Sequence, residues 1–156
     1  MLKELLGERI HFEKEAKDWK EALQLSFQSL LKDQCIEPRY IYSIINNVEE
    51  LGPYLILHDS IALPHAHPQD GVRRPAMSFL RLENGVHFPD TAAPVYMFFS
   101  MAVTDEDDHH LTLITLAEMM ENKKIRENLL AASTKEQVMA LLSEYQSKNS
   151  CQYDLK

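Results

Sequence analysis

Seven histidines punctuate the chain: His11, His58, His65, His67, His87, His109 and His110. Two of them, His65 and His67, stand one residue apart in "SIALPHAHPQDGV", residues 60–72, beside Pro64 and Pro68. An imidazole changes charge near neutral pH, and as a neutral ring it is a nucleophile. On extended backbone, residues i and i+2 point the same way, so the pair could ligate a metal together. Only one of His109 and His110 could join them, because adjacent side chains on a helix diverge. No HExxH motif and no cysteine pair accompanies the cluster. The same pair also reads as a catalytic nucleophile with a neighbour, or as polar residues in a proline-constrained turn. Composition leaves these three readings open for His65.

The remaining candidates carry less. His11 reads as solvent-exposed, His58 as a polar residue at a strand end, and His87 as part of a hairpin or loop. His110 covers the first turn of an apolar helix. The acidic "TDEDDHH" could bind a cation, but a solvated helix start accounts for it more simply. There is no GxSxG, P-loop or GxGxxG motif. With four glycines in the whole chain, a glycine-rich phosphate cradle is excluded.

The elements that must position these residues follow from periodicity. The charged first ~17 residues predict a short helix that frays at its start. Asp18 is placed to cap a helix whose apolar residues Trp19, Ala22, Leu23, Phe27, Leu30 and Leu31 recur at helical spacing. Pro38 suits the first turn of the next helix, with Tyr40, Ile41, Ile44, Ile45 and Val48 as its buried stripe and Gly52 after its end. Then the period changes. Residues 54–57 read as a buried strand. Residues 76–82 read as another, with Met77, Phe79 and Arg81 facing one way. The most apolar run, 94–103, reads as a central strand. A helix after "TDEDD" carries Leu113, Leu116, Ala117 and Met120 on one face, and a second covers about 123–132. A last helix starts at Ser133 or Thr134, where Thr134 with Gln137, or Ser133 with Glu136, could form a capping box. The order predicts an α/β fold, a sheet covered by helices on both faces.

The chain's 156 residues suit one domain, residues 1–156. A formal net charge of -8 argues against nucleic acid and leaves room for a partner with a basic or mixed docking face. Cys35 and Cys151 form neither a zinc motif nor a disulfide framework, and Cys35 reads as a small apolar filler. No run reaches transmembrane length, and the N-terminus has no signal-peptide core. Both point to a cytoplasmic protein with no direct membrane insertion.

One long stretch is more specific. "YLILHDSIALPHAHPQDGV" resembles the active-site signature of enzyme IIA components of the mannitol/fructose superfamily in the bacterial phosphoenolpyruvate:sugar phosphotransferase system. Gly52, Tyr54, Ile61, Ala62, Pro64, His65, Pro68, Gly71 and Val72 match a pattern like G-x-Y-x6-I-A-x-P-H-x-x-P-x-x-G-V. The likeness continues through "MSFLRL", "APVYMFFSMAVTD" and "LAEMM". The stretch "IEPRYIYSIINNVEELGPY" looks more like the ascorbate-type branch, which points to L-ascorbate or a related pentose or polyol.

The resemblance implies a mixed, mostly parallel central sheet flanked by helices on both faces, a single domain with its core at about 18–145, and a phosphoryl relay. Phosphohistidine on the carrier protein HPr would donate to His65, and His65 to the cognate enzyme IIB, itself coupled to a membrane enzyme IIC. No cofactor and no metal are implied. A second family histidine lies in a motif like D-x-x-x-H-L. Counting from Asp105 and back from "LAE" both give His109, which would stabilise transition-state charge, while counting from "HL" gives His110. Two departures stand out. Asn47 occupies the register where mannitol-type members carry an arginine, and His67 replaces the arginine of "P-H-A-R-P". His67 is therefore an expected phosphate-binding donor, and Ser60 is a second candidate, although a turn-stabilising hydroxyl accounts for it more simply. A regulatory module without a transport role, and a metal-dependent hydrolase on the clustered histidines, remain as alternatives. A second copy of the chain could cover the apolar N-terminal helix face, giving a homodimer.

Overall fold

The structure is a computed structural model in which residues 2–58, 60–104 and 106–153 are described, without the side chains of 106–109 and 146–153. The described residues form six α-helices and five strands: α1 (Leu2–Leu6), β1 (Ile10–Glu13), α2 (Trp19–Lys32), α3 (Pro38–Leu51), β2 (Ile56–His58), β3 (Ile61–Ala62), β4 (Ala76–Val86), β5 (Val95–Ala102), α4 (Glu106–Glu121), α5 (Lys123–Ala131) and α6 (Lys135–Tyr153). The strands make one sheet in the order β1-β4-β5-β3-β2, which puts the most apolar strand, β5, at its centre.

Helices cover both faces, and the strand alternation explains why. Successive strand residues point to opposite faces. Met77 and Phe79 of β4, with Met97, Phe99 and Met101 of β5, face α1, α4, α5 and α6. Leu80, Leu82, Phe98 and Ala102 face α2 and α3. Both faces are buried, so the strands read as continuous apolar runs. Ser26, Ser78 and Ser100 are also buried, and they satisfy one another: Ser100 Oγ donates to Ser26 Oγ at 2.7 Å, and Ser26 Oγ to the Leu23 carbonyl at 2.8 Å.

The sheet is mixed, as expected, but its ladders divide evenly. β1–β4 and β3–β5 are parallel, while β2–β3 and β4–β5 are antiparallel. Half the ladders are therefore parallel, not most of them. The N-terminal segment departs further from expectation. Residues 10–13 are an edge strand, and Leu2 and Leu6 of α1 are buried core. Arg9 ties this segment down: Nε donates to the Met77 carbonyl at 3.0 Å, Nη2 to the Leu5 carbonyl at 2.6 Å, and Nη1 pairs with Asp33 at 3.1 Å. His11, expected to be exposed, has its Nε2 buried without a hydrogen-bond partner.

Local signals hold where they were legible. Asp18 Oδ1 accepts the Glu21 N–H at 2.9 Å, and Pro38 opens α3. Thr134 and Gln137 form the reciprocal capping box, both bonds at 3.2 Å. Cys35 is buried in the core.

Candidate active site

β3 is two residues long, and its continuation carries the histidine pair. The exit is fastened one peptide at a time. The Leu63 N–H donates to the Leu55 carbonyl at 2.7 Å, and the Met101 N–H to the Pro64 carbonyl at 2.9 Å. Pro64 fixes its own φ and has no N–H to satisfy. After His67 the chain makes a single 3-10 turn over Pro68–Asp70. Gly71, at φ 140, brings it back against α3, where the Glu37 N–H donates to the Gly71 carbonyl at 2.8 Å. A Cβ on Gly71 would lie 3.1 Å from the Cβ of Tyr40 and 3.2 Å from its backbone nitrogen, so glycine is required for this close return.

The His65 imidazole sits in a cavity of about 420 Å³. α3 contributes Asn47 and Leu51, the β2 approach Tyr54, the histidine loop Ala66, His67 and Pro68, and α4 His110. His65 Nδ1 lies 2.6 Å from the Leu63 carbonyl. A carbonyl only accepts, so Nδ1 carries the proton. In that tautomer Nε2 bears the lone pair. Burial lowers the pKa of His65 below its ordinary value, an effect the Leu63 carbonyl opposes only in part. The ring is therefore neutral at pH 7. The Tyr54 ring meets it edge to face at 5.8 Å, and the Tyr54 hydroxyl donates to the His65 carbonyl at 2.7 Å.

His67 caps the 3-10 turn: its Nδ1 accepts the Gln69 N–H at 3.4 Å. The proton of a neutral His67 ring therefore belongs on Nε2, which makes that atom a donor. Among the described residues lining the cavity there is no lysine or arginine. An oxyanion bound here would be met by imidazoles, a phenol and an amide.

The chain matches the family model for the phosphoenolpyruvate-dependent sugar phosphotransferase system, EIIA 2, over residues 5–145. It belongs to that family. The family's members are phosphotransferases that act through a phosphohistidine. The mannitol-specific cryptic phosphotransferase enzyme IIA component of Escherichia coli K12 is 37% identical over 128 residues, covering 82% of this chain and 87% of that protein. The ascorbate-specific EIIA component of the same organism is 29% identical over 135 residues, covering 85% and 88%. The solution structure of the E. coli mannitol-specific cryptic enzyme IIA superposes with a TM-score of 0.85 at 34% identity, covering 92% of this chain and 98% of that one. The fold also matches the E. coli mannitol enzyme IIA in its complex with phosphorylated enzyme IIB, at TM-score 0.76 and 22% identity over 88% and 96% of the chains.

In this enzyme IIA component the sequence-predicted residues do not all converge. His65 and His67 share the cavity. Ser60 does not reach it. Ser60 precedes β3 while His65 follows it, and Ser60 lines a separate cavity with Arg81, Glu83 and Tyr96. Its carbonyl accepts the Tyr96 and Met97 N–H groups at 2.9 and 3.1 Å, which fixes Ser60 as the entry to the β3–β5 ladder. The side chain of His109 lies outside the described residues. His110, read from sequence as a helix-covering residue, lines the His65 cavity and is exposed.

Asn47 and Tyr54 are cavity residues to which sequence reasoning gave no role. Asn47 was noted only for the arginine it replaces, yet it lines the cavity with Tyr54 and partly offsets the rise that burial imposes on the Tyr54 pKa. The signal for Asn47 was helix phase. Asn47 follows Ile44 by three positions, at the edge of the buried stripe of α3.

Among the described residues no helix is long and apolar enough to cross a membrane. No group of three or more candidate metal ligands gathers among them either.

Proposed function

We propose that this chain is the phosphoryl carrier of a sugar phosphotransferase system, with His65 Nε2 as the acceptor atom. The Nδ1–Leu63 bond carries this reading, because it directs the lone pair of a neutral, half-buried imidazole away from the backbone. Phospho-HPr is the donor and a cognate enzyme IIB, coupled to a membrane enzyme IIC, is the recipient. His65 Nε2 attacks phosphorus in line while the P–N bond of the donor breaks, and the donor ring retains that electron pair. Passing the group on reverses the roles. Catalysis of such a step is mostly positioning and charge stabilisation. His67 Nε2–H and His110 supply donors in a cavity whose described lining has no lysine or arginine, and His109 is a further stabilising histidine. The relatives' names divide between mannitol and ascorbate, so the transported compound is proposed as a polyol or an ascorbate-like sugar acid.

Incubation with phosphoenolpyruvate, enzyme I and HPr tests the reading. The expected result is one phosphoryl group per chain, acid-labile and base-stable, mapped to residue 65 and absent in His65→Ala. Discharge onto an added enzyme IIB establishes the transport relay. Labelling without discharge onto any IIB encoded alongside it would favour a regulatory module.

A further inference from the structure

The peptide unit joining His65 to Ala66 is held at both ends by phenols. Its carbonyl accepts from Tyr54 Oη at 2.7 Å, and its N–H donates to Tyr40 Oη at 3.0 Å. The phenols approach from opposite sides, since Tyr54 is 40% exposed and Tyr40 is fully buried. Tyr40 is fastened in turn: its Oη donates to the Met101 carbonyl at 2.8 Å, while the Tyr54 ring lies edge-on to the His65 imidazole at 5.8 Å. Met101 uses both backbone groups on the site, because its N–H holds the Pro64 carbonyl at 2.9 Å.

We infer that Tyr40 and Tyr54 form a two-sided clamp on the His65–Ala66 peptide that sets the direction of the His65 imidazole, making both positioning residues for phosphoryl transfer. The inference rests on the proposed acceptor role of His65. A peptide plane bonded at one end can swing about its Cα–Cα axis. Bonded at both ends, it cannot turn without breaking two hydrogen bonds at once. That plane defines ψ of His65, the frame from which its side chain departs. The same frame aligns Nδ1 with the Leu63 carbonyl and so selects the tautomer with the lone pair on Nε2. In-line transfer is sensitive to such alignment: a displacement of about 1 Å can cost about 100-fold in rate.

Tyr40 also fills core space, its ring edge-on to Phe27 at 5.7 Å. Phenylalanine keeps that packing and removes only the hydroxyl, so Tyr40→Phe separates the two roles. Tyr54→Phe does the same at the surface, where loss of one exposed hydroxyl leaves folding intact.

The experiment uses both variants in the full chain with two readouts. The first is the nitrogen chemical shifts of the His65 ring in unphosphorylated protein. The wild type is expected to show Nδ1–H, and each variant a shift toward the Nε2–H form that free imidazole side chains favour. The second is single-turnover uptake from phospho-HPr. Its rate at saturating donor is expected to fall about tenfold in each variant, within the range that misalignment produces, with the half-saturating donor concentration unchanged. The double variant should lose less than the product of the single effects, because both bonds hold one plane. Wild-type tautomer and wild-type saturating rate in Tyr54→Phe and Tyr40→Phe would overturn the clamp. If wild-type protein takes no phosphate at His65, the proposed function fails. The ring shifts still decide the clamp in that case, since they need no partner.

Discussion

The His65 imidazole is a base whose burial lowers its pKa below the ordinary 6.5. Between its folded-state value and 6.5, the unfolded chain binds more protons at this residue than the folded chain does. Stability from the neutral ring is therefore fully present above pH 6.5 and lost as pH falls through that window. An NMR titration should place the His65 midpoint below 6.5, and a midpoint at or above it would contradict the burial argument. His67 makes a different prediction. In a cavity whose described lining has no lysine or arginine, its Nε2–H is the nearest replacement for a fixed cation. His67→Ala should shorten the lifetime of phosphorylated His65. Equal lifetimes in variant and wild type would remove His67 from the phosphate site.

At the scale of elements, the loop 63–72 is held by α3 and β5, and it has no ladder of its own. Arg39 Nη1 donates to the Gln69 carbonyl at 2.9 Å, Ile36 bridges Val72, and the Arg73 N–H donates to the Cys35 carbonyl at 2.8 Å. Gly71 is where this return is tightest. Gly71→Ala imposes a left-handed φ on a residue with a Cβ and drives that Cβ toward the Tyr40 backbone. It should lower unfolding stability by about 1–3 kcal/mol, the usual cost of a strained backbone residue. Chemical denaturation measures this directly, and an unchanged midpoint would mean that the loop can open away from α3 at no cost.

At the scale of the whole molecule, several exposed apolar side chains gather near the cavity. Leu51 is 74% exposed on its rim and Tyr54 40%, while Leu111, next to His110 on α4, is 52% exposed. Apolar residues around a reactive centre suit a transient docking face for the proposed donor and recipient. The net charge of -8 favours steering of partners with basic docking surfaces, an effect that salt weakens. Leu51→Glu should raise the half-saturating concentration of phospho-HPr about tenfold, equivalent to about 1.4 kcal/mol of binding, and leave the thermal midpoint unchanged. Unaltered uptake would place the docking face elsewhere.

What the sequence determined by itself is local. Asp18, Pro38 and the Thr134–Gln137 pair act on backbone groups within four residues, so their roles as caps were legible. The two-face pattern of β4 was legible too, through Met77 and Phe79, while β5 was legible as a central strand from its continuous apolar run. The motif around His65 supplied the proposed acceptor. It did not separate Ser60 from it, because a linear motif does not record that two residues of β3 send its ends to different cavities. Strand β1 escaped notice for a related reason. Four residues, 10–13, become a strand only by pairing with β4, more than 60 positions away. Tertiary structure alone decided which side chains meet at His65. Asn47 and Tyr54 reach it through the packing of α3 and β2, His110 through α4, and the Tyr40 hydroxyl from within the core. Those contacts depend on distances between elements, and the local free energies that a single sequence displays do not contain them.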